Sequence, residues 1–290
     1  MKTGLIGLGA MGMPMAENLY HAAALHAVWN RTAAKAEAFS AGKDIMLARS
    51  PAELAEHCDV IITSVSADSD LIEVVQALLP GLQRNAVVVD TSTVAVATAR
   101  QAAELCGMRA AHFIDAPVSG GVEGARRAQL VMMAGGDVNI LAQVEPVLLK
   151  MAKQVVHMGD TGSGQATKAV NQIMAAGINQ AVTESLAFAE AMQLDLDKVI
   201  DVISGGAAGN WFLANRGKTM VQQAFEPGFK VGLHHKDLQI CRQMTEQLGG
   251  HDTRLPLIEM TLIHYQRLID AGYAEEDISA LYRLKQEIFS

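Results

Sequence analysis

The chain has 290 residues, of which 50% are hydrophobic, 19% charged and 4% aromatic. That balance suits a globular protein of about two domains and excludes a disordered, collagen-like or coiled-coil chain. Lys and Arg number 23 against 31 Asp and Glu, a formal charge of −8. Such a chain lacks the broad basic face of a nucleic-acid binder, so any anion must be held by a local site.

Cys58, Cys106 and Cys241 are too few and too scattered for a disulfide framework or a metal cage, and read as reduced, buried thiols. No apolar run approaches the ~18 residues of a membrane helix. Lys2 and the apolar stretch to Ala16 imitate a signal peptide. Gly4, Gly7, Gly9, Gly12 and Pro14 inside that stretch suit a phosphate-binding turn instead. A cytoplasmic protein, with no nucleic acid or membrane as partner, is the expectation.

The first half alternates short apolar runs with helix-period segments. Strand-like runs are Thr3–Leu8, Ala27–Trp29, Val60–Val65, Val87–Asp90 and Phe113–Asp115. Helices are expected at Met11–Ala22 and Ala33–Ser40, and Ser50-Pro51-Ala52-Glu53 reads as a capping box. Alternating strands and helices predict a Rossmann-type, doubly wound and mostly parallel α/β sheet, extended by runs near Leu130–Ala134 and Val155–Met158. A helix then runs from about Gln165 to Met192. The segments after it, Asp197–Ile203, Trp211–Gln222, Gly232–Leu248, Pro256–Ala271 and Asp277–Phe289, all read as helices. Residues 1–162 are therefore expected to form an α/β domain, and residues 163–290 an all-α domain that begins with the long connecting helix.

Gly7-Leu8-Gly9-Ala10-Met11-Gly12 matches G-x-G-x-x-G between a strand and a helix. The first glycine allows the tight turn, the second lets backbone approach a pyrophosphate, and the third packs helix on strand. Amides at the helix N-terminus then face the phosphates. An NAD site carries an acid at the end of the second strand; here Asn30-Arg31-Thr32 stands there, offering a guanidinium and hydroxyl to a 2′-phosphate. NADP(H) is the expected cofactor, with NAD as a second possibility.

Two segments bear on chemistry. Asp115-Ala116-Pro117-Val118-Ser119-Gly120-Gly121 ends in a turn whose amides and hydroxyl can nest a carboxylate. Lys168 and Asn171 lie three apart near the start of the long helix and share a face. A helix N-terminus and burial both favour loss of a lysine proton, as general acid/base work near neutral pH needs.

Together Leu5 to Ala16, Asp115 to Gly121, Gly162 to Asn171 and Lys236-Asp237-Leu238 resemble the β-hydroxyacid dehydrogenase family across nearly the whole chain. That family includes 3-hydroxyisobutyrate dehydrogenases, tartronate semialdehyde reductases and glyoxylate/succinic semialdehyde reductases. The resemblance implies that Lys168 is the catalytic lysine and that Asn171 orients substrate. It gives Ser119, Gly120 and Gly121 the substrate carboxylate. Val65, Ser66, Thr93, Phe229 and Lys236 match cofactor contacts. Ser66 departs from the family's usual proline, and Gln172 replaces a second Asn found in many members. Asn30-Arg31-Thr32 looks like the NADPH-preferring semialdehyde reductases.

The expected reaction is hydride exchange between NADP(H) and a small hydroxyacid or its semialdehyde, without metal. An imine reductase of the same fold and a non-catalytic NADP-binding protein are the alternatives; the former usually lacks the lysine. His234 and His235 lack further metal-ligating side chains at suitable spacing, and His21, His26, His57, His112, His157, His251 and His264 are scattered. The 15 methionines are expected between helices, and Trp211 is expected in the packing of the second domain, with the lining of a substrate cleft as its alternative. An apolar long helix predicts a homodimer or homotetramer.

Overall fold

A computed structural model describes residues 1–249 and 252–289; His251 lies outside them. The chain divides into two compact units, Met1–Lys168 and Ala169–Ser290.

The first unit runs β1 (Thr3–Ile6), α1 (Gly12–His21), β2 (Leu25–Trp29), α2 (Ala33–Ser40), β3 (Met46–Leu47), α3 (Pro51–His57), β4 (Val60–Thr63), α4 (Asp68–Leu78) and β5 (Val87–Asp90). It continues through α5 (Val96–Gly107), β6 (His112–Asp115), β7 (Val118–Ser119), α6 (Gly121–Arg126), β8 (Leu130–Gly135), α7 (Val138–Leu148) and β9 (Ala152–Gly159). The strands order as β3-β2-β1-β4-β5-β6-β8-β7, with β9 also paired to β8. From β3 to β6 every pairing is parallel. β8 runs antiparallel to β6 and β7 and parallel to β9. The doubly wound, mostly parallel sheet is as expected; the reversed strands at one edge were not anticipated.

The strands read as unbroken apolar runs because both faces are covered. Leu5, Val28, Ile62, Val89 and Ile114 face one hydrophobic core, while their neighbours Ile6, Ala27, Ile61, Val88 and Phe113 face the other. Two expected strands end early. β1 stops at Ile6 because Gly7 turns the chain with φ +97°, and β4 stops at Thr63. Ile6, Thr63, Asp90 and Asp115 then align in register across four parallel strands. The loops that leave this row lie at the carboxyl ends of the strands, where open α/β sheets bind ligands.

The capping box forms only in half. Ser50 Oγ accepts from Glu53 N at 3.1 Å, but the Glu53 carboxylate reaches Arg49 N at 2.6 Å rather than the backbone of Ser50. The Arg49 guanidinium beside it draws the Glu53 carboxylate one residue upstream and holds its pKa down to about 2.

α8 (Ser163–Ala191) crosses the division between the units. The second unit continues with α9 (Leu196–Ser204), α10 (Trp211–Val221), α11 (Val231–Gly249), α12 (Pro256–Asp270), a 3₁₀ turn (Ile278–Ala280) and α13 (Leu281–Gln286). The helix expected over 277–289 is thus broken: the Asp277 carboxylate accepts from Ser279 N and caps a 3₁₀ start. Tyr265 and Tyr282 are the largest fully buried side chains of this unit's core. Trp211 does not pack there as expected. It is 66% exposed, with the Arg216 guanidinium over its ring. Met220 is buried between helices, but Met174 on α8 and Met192 just beyond its end are exposed. Among the described residues, no helix is long and apolar enough to cross a membrane.

Candidate active site

Gly7 and Gly12 close the turn between β1 and α1. A Cβ on Gly7 would collide with the Ser64 carbonyl oxygen, and one on Gly12 with that of Gly7. Gly9 opens the other way, onto space in which a Cβ would meet nothing within 4 Å. α1 starts with neither a capping side chain nor an acid in its first turn; the Met13 amide bonds the Gly9 carbonyl at 3.0 Å and Pro14 has no N–H, so the anion is drawn by the positive helix end and the amides of the turn before it. These features fit the diphosphate of a dinucleotide. Ala10 is exposed and Met11 half-buried at the helix entry.

Leu8 and Asn30 hold this turn in shape. The Leu8 amide donates to Asn30 Oδ1 at 2.8 Å, and Asn30 Nδ2 donates to the Thr32 carbonyl at 2.9 Å. Asn30 therefore spends both ends of its carboxamide inside the protein, which leaves Arg31 and Thr32 as the exposed side chains after β2. Arg31 is 70% exposed, and its Nη1 meets Asp70 of α4 at 2.7 Å. The sequence alone gave no sign of that pair, 39 residues apart.

A buried polar network lines the carboxyl ends of β4, β5 and β6. Asp90 Oδ1 accepts from Thr63 Oγ1 and Ser92 Oγ, each at 2.7 Å. Ser92 Oγ in turn accepts from the Val65 amide at 2.8 Å, fixing the loop that carries Val65 and the exposed Ser66. Gln165 reaches from α8 to the loop after β5: Nε2 donates to Ser92 O and Oε1 accepts from Val94 N. Thr93 is half-buried between these two anchors.

Asp115 ties the network to the start of α8. Its Oδ1 accepts from Gly162 N at 2.7 Å and its Oδ2 from Gln165 N at 2.9 Å. Burial pushes its carboxyl up to about 6, against the opposing pull of those two amides, with nearby Asp90 adding to the rise. One turn further along the helix, Lys168 is 8% exposed, and its Nζ donates to the Val118 carbonyl at 2.9 Å. Val118 precedes the Ser119-Gly120-Gly121 turn, in which both glycines take positive φ. The structure thus brings Lys168, Val118 and the carboxylate-type turn together within the first unit.

The second unit holds Asn171, Phe229 and Lys236. Asn171 Nδ2 donates to Gln172 Oε1 at 2.8 Å, Gln172 Nε2 donates to Asp237 Oδ2 at 2.6 Å, and Lys236 Nζ meets Asp237 Oδ1 at 3.0 Å. Phe229 is held by the buried Asp277, whose Oδ2 accepts from the Gly228 and Phe229 amides at 3.0 Å each. His234 is wholly buried between the Tyr265 hydroxyl and the Gln172 carbonyl, with Phe229 against its ring. Among the described residues, no group of three His, Cys, Asp or Glu could hold a metal ion. Sequence reading missed Gln165, Asp277 and the joining role of Gln172. Only Gln172 had left a trace, as a departure from a resembling motif.

The chain is similar to known oxidoreductases along nearly its whole length. The family model described as the NAD binding domain of 6-phosphogluconate dehydrogenase matches residues 2–159, and that described as NAD-binding of NADP-dependent 3-hydroxyisobutyrate dehydrogenase matches residues 162–285. An uncharacterized oxidoreductase of Shewanella frigidimarina is 39% identical over 98% of both chains. The 2-hydroxy-3-oxopropionate reductase of Escherichia coli is 33% identical over 86% of each. The solved structure of Mycobacterium tuberculosis 3-hydroxyisobutyrate dehydrogenase with L-serine is 29% identical, covers 98% of each chain and superposes with a TM-score of 0.87. The chain belongs to the β-hydroxyacid dehydrogenase family and is an NAD(P)-dependent oxidoreductase of the 3-hydroxyisobutyrate dehydrogenase type.

Proposed function

We propose that the protein interconverts a small β-hydroxyacid and its semialdehyde, with Lys168 as general acid and base and with NADP(H) preferred. The observation that carries this reading is the hydrogen bond from Lys168 Nζ to Val118 O. It sets a buried proton donor one residue from the Ser119-Gly120-Gly121 turn, where successive amides and a hydroxyl suit a carboxylate.

The nicotinamide, when bound, supplies or accepts the hydride at the substrate carbon. The chain's own residues do the rest. Ser119, Gly120 and Gly121 anchor the carboxylate, and Asn171, three residues beyond Lys168 on α8, orients the substrate. In reduction, the carbonyl oxygen takes a proton from Lys168 Nζ as the carbon takes hydride, and Lys168 regains its proton from solvent. In oxidation Lys168 removes the hydroxyl proton. Proton transfer and charge stabilisation both fall to the lysine, so this route assigns no step to a metal.

The preference for NADP(H) rests on the missing acid after β2 and on Arg31. Its pair with Asp70 is solvent-exposed, and such pairs are weak. A phosphate dianion offers the guanidinium a bidentate partner of higher charge. The chain also associates with copies of itself along the apolar stripe of α8 in this reading.

The test is nicotinamide absorbance with NADPH and separately NADH, across glyoxylate and the succinic, tartronate and methylmalonate semialdehydes. Turnover favouring NADPH on at least one of them is expected. Tight NADPH binding with no turnover on any would overturn the reductase reading and favour a binding role.

A further inference from the structure

We infer that Asp237, acting through Gln172, sets the orientation of the Asn171 carboxamide. Amide nitrogen and oxygen are normally interchangeable by a flip of the side chain, but this chain of contacts removes the choice. A carboxylate only accepts hydrogen bonds. Asp237 Oδ2 lies 2.6 Å from the Gln172 carboxamide, so Gln172 must turn Nε2 toward it. Its Oε1 then faces Asn171 at 2.8 Å and accepts, so Asn171 must present Nδ2.

Burial makes the arrangement binding. Gln172 is 1% exposed and Asp237 4%. A flip of either amide would set oxygen against oxygen, or nitrogen against nitrogen, with little water to compensate. The other oxygen of Asp237 holds Lys236 at 3.0 Å. One carboxylate on α11 thereby anchors both Lys236 and, at one remove, Asn171 on α8. Gln172 is long enough to join Asn171 to that carboxylate while remaining neutral. Asp237 and Gln172 are positioning residues. Their bearing on catalysis rests on the reading of Asn171 given above.

The test inverts and then restores the polarity. In Asp237→Asn, isosteric with the native residue, the Lys236 contact demands oxygen on one side and so directs NH₂ at Gln172. Gln172 must then flip, and Asn171 with it. In the double variant Asp237→Asn/Gln172→Glu, Asn at 237 donates to Glu at 172, whose second oxygen again accepts from Asn171 Nδ2. Overall charge is unchanged.

The primary readout is the side-chain ¹⁵N–¹H₂ signal of Asn171 in protein labelled with ¹⁵N-asparagine, identified by its loss in Asn171→Ala. The signal is expected to shift in Asp237→Asn and to return to its native position in the double variant. Reduction of succinic semialdehyde by NADPH should fall about tenfold in kcat/KM in the single variant and recover in the double. A signal unmoved in Asp237→Asn, or not restored in the double variant, overturns the inference. If Asp237→Asn does not fold, the double variant alone decides by the position of its Asn171 signal. Native turnover in Asn171→Ala, with the signal behaving as described, would refute the role of Asn171 and leave the positioning intact.

Discussion

Nζ of Lys168 donates to the carbonyl oxygen of Val118 at 2.9 Å, across 50 residues of sequence. Val118 is the first residue of β7, paired antiparallel with β8 through Met132, while Lys168 lies in the second turn of a helix capped by Asp115. The lysine is therefore held at both its backbone and its tip before any ligand arrives. A rotamer-rich side chain fixed in this way has less entropy to lose on reaching a transition state.

Arg31→Ala is expected to weaken NADPH binding about 10- to 100-fold, the scale of a lost charged hydrogen bond. NADH binding should change little, because only the 2′-phosphate distinguishes the two. Fluorescence titration with both nucleotides checks this. Equal losses would remove Arg31 from cofactor choice.

Gly12→Ala should behave differently. Its Cβ would strike the Gly7 carbonyl oxygen, so the turn must open and binding of NADPH and NADH should fall together. A stability loss of about 1–3 kcal/mol is expected from the overpacking. Urea unfolding and the same titrations provide the check.

Asp115 gives a pH dependence of defined sign. Its folded-state pKa, about 6, exceeds the ordinary 3.8 of the unfolded chain, chiefly through burial. The stability it contributes is fully present below pH 3.8 and is lost as pH rises through about 6. The total is on the order of 1–3 kcal/mol at 1.36 kcal/mol per unit. Urea unfolding of the native protein and of Asp115→Asn between pH 4.5 and 7.5 measures it. The native protein should lose stability relative to the variant as pH rises; a flat or rising difference would contradict the assignment.

Val170, Met174 and Phe188 on α8, and Met192 just beyond its end, are each more than half exposed. They recur at spacings that fall on one side of a helix, with Gly177, Ala181 and Ser185 between them. Light scattering should give at least about twice the 30.9 kDa chain mass, and Phe188→Asp should lower it. A monomeric native protein would remove the self-association.

Much of the fold was legible because its signals are local. Val87–Asp90 and Ala33–Ser40 were bounded to the residue by apolar runs and their flanking breaks. The glycine turn declared itself by spacing alone. β3 and β7 are two residues each, too short to carry a period, while β8 and β9 were expected as strands but their reversal depends on which strands pair, not on their own pattern. Within the candidate site, the residues that touch one another across long separations were the hard ones. Arg31 with Asp70, Asn30 with the Leu8 amide, and Gln172 with Asp237 depend on which elements pack together. Trp211 was read as a packing residue, whereas it sits at the exposed start of α10.

The central claim is that Lys168 moves the proton. Lys168→Ala should lower kcat on the best semialdehyde about 10²- to 10⁴-fold, the range of a lost general acid. NADPH affinity, read by fluorescence on the same preparation, should stay close to native. Turnover retained within a few-fold, with the cofactor still bound, would contradict the account.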